Sequence, residues 1–534
     1  MKYTQTTSIY NISKIHFNFS VQTGGNILFY KSITCALDGI NGYTVTVEAD
    51  ISKGIPNFSI VGLPDISVRE SRERIKSAIT NSRLKYPGRK IVINLSPSDI
   101  RKEGSHFDLA IAVCILNSEY EFLQNRHEKT AFIGELSLNG EIAAVKGVIP
   151  FILNAKGDPS VEKVIVPYDN FEEASVVDDI EIYPVKTLSD VIGYLSGKME
   201  LSRLEAADKV RSHHFELDYS DIKGNGIAKR AAEICAAGKH NLFMIGSAGS
   251  GKTMIAKRIV SIMSELTDEE YIEVSKIYSS SGLFNDDIIR RTRPFRSPHH
   301  TATIKSIIGG GASSSPGEVV LSHNGVLFLD ELLEFDKKAL EALRQPIEDK
   351  KIAISRIKRT NIYPCDFVLV ACCNPCPCGN YNNPHKECRC SEYRIRSYLS
   401  KASNPLLDRF DLFVEVHPID FEDIVSPSEE EKSEDIRARV IQAQDVQRKR
   451  YRKSNNMYND GLKSQDIEKY CMLTEDASQF MNMVFNKNKL SIRSYHKLLK
   501  VSRTIADLDG SDIIDISHIS EAVSFRKPLD KYWG

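Results

Sequence analysis

Eight consecutive residues, Gly246, Ser247, Ala248, Gly249, Ser250, Gly251, Lys252 and Thr253, match the phosphate-binding pattern G-x-x-x-x-G-K-[ST]. Glycines at these places let backbone N–H groups close around a polyphosphate. The ammonium of Lys252 then faces the β/γ phosphates, and the hydroxyl of Thr253 can ligate Mg²⁺. A second pair of groups, Asp330 and Glu331, follows the apolar run Val326-Leu327-Phe328-Leu329. An acid at a strand end can hold the metal, and its neighbour can polarise an attacking water. Together the two stretches predict Mg²⁺-dependent hydrolysis of ATP.

Such groups work only if the chain places them, and the flanking residues have the right character. Leu242 to Ile245 reads as a strand and Met254 to Val260 as a helix, so the order is strand, glycine turn, helix. The helix N-terminus adds a partial positive charge to the loop. Gly325 to Leu329 reads as an all-apolar strand and Asp366 to Ala371 as a further buried strand, the kind found inside a parallel sheet. Ala228 to Ala237 is a helix ahead of the loop.

At 534 residues the chain exceeds one hydrophobic core, so two or three domains are expected. Its 41% apolar and 26% charged residues are those of a soluble globular protein. No apolar run approaches the ~18 residues of a membrane span. Residues 1–28 show no secretory pattern and read as a loose extension, which predicts a cytoplasmic protein without a membrane partner. A net charge of −1 excludes an all-over nucleic-acid coat and leaves only local basic patches. One such patch runs from Arg290 through Arg296 to His299 and His300, ahead of a glycine- and serine-rich stretch. It suits a nucleic-acid backbone, or else a structural loop fixed by Pro294 and Pro298. Of eleven cysteines, six fall between Cys372 and Cys390. Cys376, Cys378, Cys388 and Cys390 form two close pairs that can supply a tetrahedral structural Zn²⁺ site, although C-x-C is tighter than the usual finger spacing and reduced thiols are the alternative.

Ahead of the nucleotide core, Val45, Val47, Ala49 and Ile51 alternate with polar residues as a half-buried strand does. Asn57 to Leu63 and Lys90 to Leu95 are further strands, joined by a helix from Pro64-Asp65 to Leu84 whose Arg69, Arg72 and Arg74 read as a solvated face. Phe107 to Leu116 is a buried helix, and strands near Ala131–Ile133 and Val164–Val166 complete an α/β domain. Residues 201–223 read as a linker, with no metal assigned to His213 and His214. Residues 426–434 are an acidic boundary to a helical end domain. That domain has one helix over Glu434–Tyr451, one capped by Ser491 with Ile492, Tyr495, Leu499, Ile505 and Leu508 on a face, and a last one near Ser517–Phe525.

The stretches GIPNFSIVGLPDISVRESRERIKSAI, INLSPSDIRKEGSHFDLAIAVCIL and FIGELSLNGEIAAVKGVIP resemble the N-terminal domain of the ComM/YifB family, the Mg-chelatase-like AAA+ proteins. That domain is similar to the Lon protease domain. Lon enzymes carry a serine nucleophile and a lysine where this chain aligns His106 and Ile149, so an inactive protease-like domain is expected; a register shift to Ser105 stays open. The resemblance implies a Lon-protease-like (S5-type) α/β domain over 29–200, an AAA+ P-loop α/β core over 224–425 with a cysteine-rich insertion at 376–390, and a C-terminal α-helical lid over 426–534. The FRSPHH segment is similar to a signature of the same family.

Several roles come from this resemblance alone. Asn374 falls where an amide (sensor 1) holds water against the γ-phosphate, and Ile227 where relatives touch the adenine. LRQPIEDKKIAISR resembles a hairpin that points into the pore of a ring, which makes Arg356, Lys358 and Arg359 candidates for DNA phosphates; a charged solvated edge is the alternative. NPLLDRFDLFVEV carries Arg409 at the arginine-finger position, and Arg493 stands at sensor 2; read alone, Arg409 would be a structural ion pair. A homo-hexameric motor on DNA is implied, with branch migration in recombination and natural transformation as its task. The rivals are a chaperone-like Mg-chelatase-type ATPase acting on a protein partner and an ATP-dependent protease.

Overall fold

The computed structural model describes residues 28–204, 215–310, 315–355, 360–419, 430–452 and 458–534. The expected pore contacts Arg356, Lys358 and Arg359 lie outside the described residues, as do His213, His214 and residues 426–429 of the acidic boundary.

The front domain is built on a mixed sheet. Strands β1 (Leu28–Asp38), β2 (Asn41–Ser52), β3 (Asn57–Val61) and β4 (Lys90–Ser96) form one half, in which β2 pairs antiparallel with both β1 and β4. Val45, Val47, Ala49 and Ile51 of β2 are fully buried, because alternate side chains of a strand share one face. Strands β5 (Thr130–Phe132), β6 (Lys163–Pro167) and β7 (Glu181–Val185) extend it in parallel, giving the order β3-β4-β2-β1-β5-β6-β7. Helices α1 (Ile66–Asn81), α2 (Asp108–Leu116) and α4 (Leu188–Leu195) cover one face, and α3 (Val148–Gly157) the other.

Helix α1 starts where Asp65 accepts the Val68 N–H at 2.8 Å. Its arginines do not all face solvent as expected. Arg74 turns inward and grips the buried Asp108 carboxylate at 2.9 and 3.2 Å, because a carboxylate without water needs a charged partner.

The second domain is a five-stranded parallel sheet. In chain order its strands are β8 (Leu242–Gly246), β9 (Phe295–Arg296), β10 (Val326–Leu329), β13 (Val368–Cys373) and β14 (Leu412–Val416). They lie in the order β9-β10-β13-β8-β14. An antiparallel hairpin, β11 (Lys351–Ser355) and β12 (Thr360–Pro364), stands beside it. Leu242 and Met244 enter the core on one face while Phe243 and Ile245 enter that on the other. Both faces are covered, which is why these strands read as unbroken apolar runs. Helices α5 (Gly226–Gly238), α6 (Lys252–Ile262) and α7 (Asp268–Ser281) flank the sheet.

This core begins before Gly224. Tyr219, in the expected linker, is fully buried and donates its hydroxyl to Ile255 O at 3.1 Å, while Arg258 binds Asp218 O and Asp221.

The end domain contains α8 (Ser433–Arg450), α9 (Glu475–Lys487), α10 (Ile492–Leu508), α11 (Ile516–Ser524) and α12 (Lys527–Trp533). Gln444 and Gln447 of α8 donate to Ala236 O and Ala237 O at 3.0 and 3.1 Å. These carbonyls are at the end of α5 and have no partner inside their own helix. On α10 the expected Leu499 and Ile505 are buried and Tyr495 and Leu508 pack against the same core, joined by Leu498 and Val501, while Ile492 at the first turn is exposed. Each such burial contributes roughly 2 kcal/mol.

Candidate nucleotide-hydrolysis site

The loop between β8 and α6 is shaped by its glycines. Gly249 and Gly251 hold φ of +80° and +94°, a region costly for residues with a Cβ. A Cβ on Gly246 would lie 2.2 Å from Val416 O, so this position admits only glycine beside β14. Lys252 donates from Nζ to Gly246 O and Ser247 O at 2.8 Å each and lies 3.3 Å from Asn374 Oδ1. Burial lowers its pKa. The buried hydroxyls of Ser247 and Ser250 have no hydrogen-bond partner. An ammonium folded onto its own loop and two unspent buried hydroxyls fit a polyphosphate, whose oxygens would satisfy all three.

Asp330 follows β10. Its Oδ2 accepts from the Thr253 hydroxyl at 2.9 Å, and its Oδ1 accepts from the Glu331 N–H at 2.9 Å and the Cys372 thiol at 2.8 Å. Thr253 and Asp330 thus bring two hard oxygen donors together, the set Mg²⁺ takes from protein. Cys372 is the residue that sequence reasoning missed. Burial and the adjacent Asp330 carboxylate push its thiol pKa well up, so it keeps its proton and serves as a donor. Its place two residues ahead of Asn374 was the available signal.

Glu331 adopts φ +52°, the left-handed region, which strains a residue with a side chain. Its Oε2 lies 3.5 Å from His300 Nδ1, and the His299 ring sits 4.1 Å from that of His300. The structure therefore puts His300 at the hydrolysis site, not on a separate basic patch. Three arginines of that patch are committed to ion pairs. Arg296 binds Glu318 at 2.6 and 3.0 Å, Arg291 binds Asp268 at 2.7 Å, and the fully buried Arg293 binds Glu270 at 2.7 Å.

Arg409 and Arg493 come together although 84 positions separate them in the sequence. Arg409 pairs with Glu348 through Nη2. Arg493 lies 3.4 Å from the other oxygen of Glu348 and 3.0 Å from Asp408 Oδ2. Glu348 was not singled out, since it sits in a different helix and nothing along the chain marks it. Ile227 is 69% exposed at the start of α5. Cys376, Cys378, Cys388 and Cys390 gather with their sulfurs within 4.8 Å of one another. Backbone N–H donors from Asn380 and Arg389 hold the Cys378 thiol down to about 6.

A polar cavity of about 820 Å³ lies elsewhere, between the sheet domain and the helical domain. Two of its lysines are paired within it: Lys239 with Glu270 at 3.2 Å, and Lys350 with Asp366 and Asp460 at 3.0 and 3.3 Å. Among the described residues, no helix is long and apolar enough to cross a membrane.

Comparison with known proteins agrees with this geometry. The sequence pattern of the family described as magnesium chelatase, subunit ChlI, matches residues 218–424. Patterns for subunit ChlI of Mg-chelatase and for its C-terminal part match residues 47–170 and 430–526. The chain is 42% identical to the uncharacterized protein YifB of Escherichia coli over 498 residues, 92% of this chain and 96% of that one. It is 40% identical to the competence protein ComM of Haemophilus influenzae over 496 residues, 91% of this chain and 95% of that one. It is also 31% identical to Lon protease 2 of Bacillus subtilis over 147 residues, 26% of each.

Proposed function

Because the chain belongs to the ComM/YifB family of Mg-chelatase-like AAA+ proteins, we propose that it is a ring-forming motor that hydrolyses ATP to move strands of DNA. The chain is an AAA+ ATPase of the ComM/YifB type, a family that implies ATP and Mg²⁺.

The observation that carries the hydrolytic reading is that the end of the phosphate loop brings Lys252 within 3.3 Å of Asn374 and Thr253 within 2.9 Å of Asp330. Lys252 and the loop N–H groups neutralise and orient the phosphates. Mg²⁺, when bound by Thr253 and Asp330, supplies positive charge to the phosphate oxygens. Glu331 accepts hydrogen bonding from the water that attacks, and the Asn374 amide fixes where that water stands. Arg409 and Arg493 complete the charge balance, at least one of them across a boundary between copies in a hexamer. In the single chain both are neutralised by Glu348 and Asp408, a contact that a neighbour's phosphate would replace. The four gathered thiols take a structural Zn²⁺.

DNA as the substrate is supported by the basic hairpin residues Arg356, Lys358 and Arg359 and by the name of the competence relative. Branch migration in recombination and transformation is the corresponding task. The testing experiment measures ATP turnover with and without forked or four-way DNA, alongside nucleotide-dependent strand displacement. We expect stimulation and displacement. Turnover indifferent to every DNA form would favour the second reading, a remodelling ATPase on a protein partner. One observation speaks for it: three of the four arginines between Arg290 and Arg296 are tied up in ion pairs.

A further inference from the structure

The cysteine-rich segment is more than a knob on the surface of the core. Cys376 Sγ lies 3.4 Å from Cys378 Sγ, and Cys388 Sγ lies 3.7 Å from each of them. Four thiolates at the ~2.3 Å bond length of zinc, arranged as a tetrahedron, stand ~3.8 Å from one another. The sulfurs are thus already spaced for one ion, too far apart for disulfides and too close for an iron–sulfur cluster. Soft thiolates select zinc over the hard Mg²⁺ that serves the phosphates. The backbone N–H of Tyr381 donates to Cys376 Sγ at 3.3 Å, the kind of outer contact that orients a ligand.

What surrounds the cluster gives it a second significance. Cys376 is two positions from Asn374, on the same turn. Gly379, at φ +76°, lies directly on the phosphate loop: a Cβ there would sit 3.5 Å from both the Cβ and the N of Ala248, and 3.9 Å from Asn374 Cγ. On its far side the segment reaches the tail of the chain, where Asn382 Nδ2 donates to Tyr532 OH at 3.4 Å and Tyr532 OH donates to Glu415 at 2.7 Å.

We propose that Cys376, Cys378, Cys388 and Cys390 bind one zinc ion, and that occupancy of this site sets the rate of ATP hydrolysis by fixing the 374–379 turn against the phosphate loop. The inference rests on the ATPase reading above but not on DNA. The ion replaces the thiol protons, which pass to solvent, and no electron is transferred. With the ion bound, the turn is held at its root by Cys376 and Cys378 and at its return by Cys388 and Cys390, so the Asn374 amide keeps one position. Without it, a segment with little apolar core of its own loses that anchor.

The test uses the full chain and no DNA, so failure of the motor reading leaves it untouched. Elemental analysis should give about one zinc per chain, lost in Cys378→Ser and Cys390→Ser and kept in Cys35→Ala. The zinc-free variants should bind a fluorescent ATP analogue within about threefold of the parent yet turn over ATP at least tenfold more slowly. Less than one zinc per ten chains after growth in zinc-supplemented medium overturns the site, and full turnover by a zinc-free chain overturns the coupling. Should the variants melt before assay, cobalt exchanged into the parent provides a second readout. Its visible bands should report tetrahedral thiolate and shift when a non-hydrolysable ATP analogue is added; bands unmoved by nucleotide overturn the coupling.

Discussion

At the level of single residues, Lys252→Ala should lower ATP turnover about 100-fold or more while circular dichroism and melting temperature stay unchanged. The phosphate loop and Asp330-Glu331 could be read because their chemistry depends on neighbours along the chain. Glu348, Cys372 and the His300–Glu331 contact could not, because their partners arrive from other elements. Glu331→Gln should retain nucleotide binding and lose between about 10² and 10⁴ in kcat, as expected for removal of a general base. The front domain offers a pH prediction. Burial lowers the pKa of His106 and of His127 from 6.5 to about 4 in each case. Both are held neutral in the folded state, so the stability they contribute is complete above pH 6.5 and is lost as pH falls towards 4. For His106 this amounts to on the order of 3 kcal/mol. Denaturant melts of His106→Leu across this range should show a flatter pH dependence than the parent; an identical slope would refute the assignment.

At the level of elements, regular patterns were legible and exceptions were not. Strand β2 and helix α2 follow from alternation and from a continuous apolar run. Helix α3 carries Pro150 and so does not read as a helix, yet the proline sits in its first turn, where the missing N–H has no partner to lose. Helix α12 is seven residues long, too short for periodicity, and its weight lies in Trp533. That indole stands edge-on to Phe243 at 5.5 Å and donates to Leu399 O at 3.0 Å, tying the end of the chain to strand β8. Trp533→Ala should cost about 2 kcal/mol, a fraction of the loss for a fully buried ring, read as a lower urea midpoint. Since it is the chain's single tryptophan, the parent's own fluorescence follows the same transition.

At the level of the whole molecule, the two α/β domains and the helical end domain were foreseeable from the order of motifs, whereas their joints were not. A ring makes its own prediction. Arg409→Ala and Lys252→Ala chains should each be nearly inactive alone, yet mixing them should restore part of the turnover, because an intact loop then meets an intact arginine from its neighbour. Mixtures no better than their components would place Arg409 in its own chain's site. The front domain rests on the nucleotide-binding domain through Ser279 of α7, whose O and Oγ accept from the N–H groups of Gly147 and Ile149 at 3.0 and 3.2 Å. Lys276 adds a bond to Asn41 at 2.8 Å. The backbone that would present a Lon-type lysine is therefore clamped beneath a neighbouring helix, and Ile149 itself is fully buried. Converting Ile149→Lys would force an ammonium into this dry seam and prise the two halves apart, so a change made deep in one domain would be felt as loosening of the joint between them.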